Sequence, residues 1–122
     1  MSNVLQTEMD FTLVKQYILL PILLDVLERD INAINVAPLK MTIVYIKMLQ
    51  QAQEHVHDDL VRVRKQMRSH GLKVYEENKT KLSVDAQYTC RGYHHSFSML
   101  WSLVKSELET LLSGYLGVDL DA

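Results

Sequence analysis

The sequence predicts a mostly α, α+β domain in which a kinked first helix, a long second helix, a β-hairpin and a third helix follow one another. Three observations predict it. Apolar residues recur at spacings of three and four on both sides of Pro21 and again from Tyr45 to Met67. The period drops to two in "LSVDAQYTC", Leu82 to Cys90, as in a half-buried strand. Helical spacing then returns from Phe97 onward.

Thr7 and Asp10, just ahead of Phe11, Val14, Ile18 and Leu19, have the form of a cap with a first-turn acid. Pro21 has no amide to donate, so it should kink or restart this helix, while Ile22, Leu23, Val26, Leu27 and Ile31 continue the buried face to an end near Asn32. "NAINVAPLK" reads as a turn that puts Pro38 at the first position of the second helix.

After Pro38 the chain has no glycine or proline as far as His70, and Tyr45, Leu49, Ala52, Val56, Leu60, Val63 and Met67 form one stripe. At 1.5 Å per residue such a helix is about 50 Å long, more than a chain of this size comfortably covers. It should bend or pack along a partner. Gly71 suits its closing turn, and Arg68 and His70 suit its negative end.

The hairpin is expected at about residues 72–91. Leu72, Val74 and Tyr75 form its first strand, Glu77 to Lys81 its turn, and Leu82, Val84, Ala86, Tyr88 and Cys90 the inward positions of the second strand. Phe97, Leu100, Trp101, Val104, Leu108, Leu111, Leu112 and Tyr115 then define the third helix, with Gly114 and Gly117 at its exit. "GVDLDA" should fray.

At 122 residues, 48% apolar and 23% charged, the composition is that of one soluble domain spanning residues 1–122. The net charge of −2 offers no global field for nucleic acid. A single cysteine and a first segment unlike a secretory signal point to the cytoplasm. The most apolar run, Tyr17 to Leu27, is broken by Pro21 and Asp25 and falls short of the roughly 20 residues a membrane helix needs.

Chemistry concentrates in "CRGYHHSFSMLW", Cys90 to Trp101. Cys90, His94 and His95, with His55 and His57 elsewhere, are metal-ligand types. Their spacing is wrong, because adjacent histidines point apart and an i, i+2 pair does not share a helix face. No metal and no cofactor are expected. The segment reads instead as a joint: Cys90 ends the strand, Gly92 allows a tight turn, Phe97 and Trp101 enter the core and Tyr93 reaches the surface.

No phosphate-cradling GxGxxG or GxxxxGK[ST] and no GxSxG occurs, and Asp58/Asp59 and Glu76/Glu77 are sequence neighbours that diverge. No catalytic residue is assigned, and the expected function is non-enzymatic. Met41, Val44, Met48 and Val61 add apolar surface beside the stripe of the second helix, which predicts a protein-contact surface and a homodimer.

The alternative rests on Arg62, Arg64, Lys65, Arg68 and Lys73, which gather within "RVRKQMRSHGLK", followed by Lys79 and Lys81 at the hairpin tip. A basic helix followed by "HGLKVYEENKTK" resembles the recognition helix and wing of winged-helix DNA-binding domains, across Asp58 to Arg91. The unbroken run from Pro38 to His70 departs from that pattern, which needs a turn before its recognition helix. "CRGYHHSFSMLWSLVKSELE" also resembles the small uncharacterised mostly helical proteins of Bacillus-type bacteria and their prophages. That resemblance implies an accessory or regulatory role and no particular reaction.

Overall fold

The computed structural model describes residues 6–122, arranged as α1 (Glu8–Val36), α2 (Thr42–Ser69), β1 (Leu72–Lys79), β2 (Ser83–Cys90), β3 (Tyr93–Leu100) and α3 (Trp101–Leu116). The three helices and the expected hairpin are present. A third strand extends that hairpin into an antiparallel meander of order β1-β2-β3.

α1 begins with a capping box. The Thr7 hydroxyl accepts from the Asp10 amide at 3.1 Å, and the Asp10 carboxylate accepts from the Thr7 amide at 3.0 Å. The helix continues through Pro21, whose ring faces solvent, and ends at Val36, four residues beyond the expected Asn32. Leu13, Val14, Ile18, Leu19, Leu20, Leu23, Leu27 and Ile31 bury one broad face.

α2 starts at Thr42 and not at Pro38, because residues 37–41 form a non-helical connection in which the Thr42 hydroxyl donates to the Leu39 carbonyl. It then runs unbroken to Ser69. Leu49, Ala52, Val56, Leu60, Val63 and Met67 are its buried stripe, six of the seven positions read from periodicity. Tyr45, the seventh, is exposed. Contacts from Asp10 to His70 and from Glu28 to Gln53 show α1 and α2 lying antiparallel.

Gly71, at φ +68°, turns the chain back along α2 into β1. The β1–β2 register shifts between Val74 and Glu76, so Tyr75 is an extra residue in the pairing. Thr80 closes the turn by accepting from the amides of Leu82 and Ser83. Leu82 belongs to that turn and is 75% exposed, whereas alternation had placed it inward. Val84, Ala86, Tyr88 and Cys90 do face the core.

"CRGYHHSFSMLW" is where the structure departs most from the expectation. Arg91 and Gly92 form a two-residue loop, and the strand continues as β3, with His95, Phe97 and Met99 on the covered side. α3 therefore begins at Trp101 and not at Phe97. Its start is fastened to the β1–β2 turn, since the Trp101 amide donates to Leu82 O and its indole N–H to Thr80 O. Two contacts seat α3 against the helical pair: Lys15 Nζ to Glu107 at 2.9 Å and the Tyr115 hydroxyl to Asp59 at 2.5 Å.

Candidate interaction surface

The core of the α1–α2 hairpin stops before the hairpin does. Ile31 is the last buried residue of α1 and Leu49 the first of α2; Ile34 and Ile46 are half-buried against the core beyond them, and the rest of the connecting tip lies outside it. Its sequence is nevertheless apolar. Val36, Leu39, Met41, Ile43, Val44 and Met48 are all exposed, with Met41 and Val44 each at 58%. Ile43, Val44 and Met48 line a shallow depression of about 300 Å³, with Lys47 and Gln51 at its border.

Of the four predicted contact residues, the structure gathers Met41, Val44 and Met48 at this tip. Val61 is exposed at 63% but lies 17 positions beyond Val44 on the same helix, about 25 Å away at the helical rise. Sequence reasoning missed Val36, Leu39 and Ile43. Their apolar character was legible, but their exposure follows from where the core ends.

The predicted basic residues divide. Arg64, Arg68 and Lys79 line adjoining grooves at the junction of α1, α2 and β1, where they are joined by Lys73. Arg62 is turned along its own helix to Asp59 and Gln66. Lys65 and Lys81 are exposed and line neither groove. α2 contains no turn that would separate a supporting helix from a recognition helix, as a winged-helix domain requires.

The profile of the family described as YhjD protein matches residues 5–120. The chain belongs to that family. A curated relative, "Uncharacterized protein YhjD" of Bacillus subtilis (strain 168), is 22% identical over 106 residues, covering 87% of this chain and 88% of the relative. No solved structure matches. The Bacillus resemblance carried by "CRGYHHSFSMLWSLVKSELE" agrees with this membership.

In this YhjD chain the side chains of that segment do not converge on a metal. His94 lies on the open face of β3, its Nδ1 3.1 Å from the Tyr75 hydroxyl. His95 is on the opposite face, stacked on Tyr88 at 5.4 Å, and its Nε2 is buried without a hydrogen-bond partner among the described residues. Cys90 is fully buried, with Sγ 3.7 Å from Asp10. No group of three metal-ligating side chains occurs among the described residues.

Asp10 organises this end of the molecule. Its Oδ2 accepts from Arg91 Nη2 at 2.8 Å and its Oδ1 lies 3.2 Å from His70 Nδ1. Arg91 also donates its backbone amide to Gly71 O and its Nη1 to His70 O, both at 2.8 Å. The start of α1, the end of α2 and the β2–β3 turn are thus tied together. Burial works to raise the Asp10 pKa, but the Thr7 amide and the Arg91 guanidinium outweigh it and hold the carboxyl below its ordinary range.

Burial and the Asp10 charge together push the Cys90 thiol up. A buried thiol that resists ionisation is a poor nucleophile, so this cluster has the properties of a structural tie. No helix among the described residues is long and apolar enough to cross a membrane.

Proposed function

We propose that this YhjD-family chain is a non-enzymatic accessory or regulatory protein that acts by protein association, with the α1–α2 tip as its contact surface and a second copy of itself as the first partner. One observation carries the reading: Val36, Leu39, Met41, Ile43, Val44 and Met48 are large apolar side chains left exposed at the tip, beyond the last buried residues, Ile31 and Leu49. Contiguous apolar surface of this kind lowers its free energy when covered, by about 25 cal/mol per Å² removed from water. A two-fold contact between identical patches offers each tip the same apolar chemistry it presents.

Substitution tests it. Val44→Glu and Met48→Glu should each shift the chain from dimer to monomer in sedimentation without lowering its melting temperature, since both side chains are exposed. Val61→Glu, on the same helix but away from the tip, should leave the dimer intact. Dissociation by Val61→Glu alone would move the interface elsewhere.

A further inference from the structure

We infer that the groove between α1, α2 and β1 binds a small phosphorylated ligand with a flat apolar body, the chemistry of a nucleotide. It lies apart from the association surface and does not depend on it. Two adjoining depressions of about 220 Å³ and 250 Å³ share Tyr17 and Arg64 as lining residues. The first sets Arg64, Arg68 and Lys73 around Tyr17 and Val74. The second sets Arg64 and Lys79 around Tyr17 and Pro21, with Glu77 its single acid.

Charge is the main argument. Arg64 and Arg68 are like charges at i, i+4, an arrangement that weakens a helix, and β1 adds Lys73 to the first depression and Lys79 to the second. Among the described residues none of these four makes an ion pair or a side-chain hydrogen bond. Four other cations are paired: Lys15 meets Glu107, Arg29 meets Asp25, Arg62 meets Asp59 and Arg91 meets Asp10. Lys40, Lys47, Lys65, Lys81 and Lys105 also make no ion pair among the described residues, but they line neither depression; the groove differs in bringing several such cations around one aromatic ring.

The shape narrows the ligand. Guanidinium groups pair with phosphate oxygens two at a time, while the half-buried Tyr17 ring and the Val74 side chain supply an apolar floor for a flat body. The two depressions together reach the lower range of small-molecule sites, which begin at about 300 Å³. A DNA duplex engages several phosphates along a long face, and Arg62, Lys65 and Lys81, which could extend the patch, line neither depression.

The test is calorimetric titration of the full chain with ATP, with inorganic pyrophosphate and with a mixed-sequence duplex, using Arg64→Gln and, as a control outside the groove, Lys65→Gln. ATP should bind more tightly than pyrophosphate. Arg64→Gln should weaken ATP roughly tenfold, the loss expected for a charge-assisted contact, and Lys65→Gln should leave it unchanged. The proposal is overturned if ATP does not bind at millimolar concentration, if pyrophosphate binds as well as ATP, or if Arg64→Gln matches the unsubstituted chain. Binding of the duplex in place of ATP overturns it in favour of a nucleic-acid surface.

Discussion

Arg91 Nη2 donates to Asp10 Oδ2 at 2.8 Å and so joins the β2–β3 turn to the first turn of α1 across 81 residues of sequence. Asp10 has only 1% of its side chain exposed, whereas Arg91 has 39%. Removing Arg91 therefore leaves a buried carboxylate with less compensation. Arg91→Ala should destabilise the fold by about 2 kcal/mol, below the range for a wholly buried pair because half of this one is solvated. Urea unfolding measures it, and a midpoint unchanged from the parent would show that the tie contributes nothing.

The same carboxylate gives a pH dependence with a definite sign. The folded pKa of Asp10 is lowered, so its contribution is complete above the unfolded value of about 3.9 and is lost as pH falls through the folded value. The stability difference between the parent and Asp10→Asn should shrink as pH falls below about pH 4. Urea midpoints from about pH 5 to about pH 3 supply the comparison; a gap that does not shrink between about pH 4 and about pH 3 contradicts the assignment.

Gly71 and Gly92 both have positive φ, at +68° and +88°, but their surroundings differ. A β-carbon at Gly71 would stand 2.9 Å from Arg91 Cγ, whereas one at Gly92 meets nothing within 4 Å. Gly92→Ala should cost about 1 kcal/mol of backbone strain, and Gly71→Ala more, because it also displaces Arg91 from Asp10. Equal melting temperatures for the two variants would argue against the close approach.

Cys90 is fully buried, and its thiol is pushed up by burial and by the Asp10 charge. It should react with a disulfide reagent only as fast as the protein unfolds, with full labelling in denaturant. Stoichiometric labelling of the folded chain within seconds at neutral pH would contradict its burial.

Much of the fold was legible because long periodic stretches leave little choice. Six buried positions of α2 follow from spacing alone, and Val84 to Cys90 alternate as read. β3 was not, for a physical reason. Phe97, Leu100, Trp101 and Val104 satisfy a helical spacing, while Tyr93, His95, Phe97 and Met99 equally satisfy a strand, and a short apolar run cannot separate the two periods. The deciding signal lay in the loop, where Arg91 at φ 48° and Gly92 at φ 88° give the two positive values a two-residue hairpin turn requires. Arginine is an unusual residue there. Its three hydrogen bonds, to Gly71, His70 and Asp10, hold it in place, and they join parts of the chain that local sequence cannot connect.

The candidate surfaces were legible only in part, because exposure depends on the tertiary fold. Met41, Val44 and Met48 could be read as surplus apolar residues, but that Val36, Leu39 and Ile43 share their tip depends on Ile31 and Leu49 ending the core. Lys73 groups with Arg64 and Arg68 by proximity in sequence, but that Tyr17 of α1 lies among them depends on the tertiary fold.

The most direct measurement is the mass of the unmodified chain in solution, by light scattering across micromolar concentrations at low and high salt. Association through the apolar tip predicts a dimer whose mass is insensitive to salt, since no ion pair needs to hold it. A monomer at every concentration would contradict it, and a dimer that dissociates in high salt would place the contact on charged surface away from Val44 and Met48.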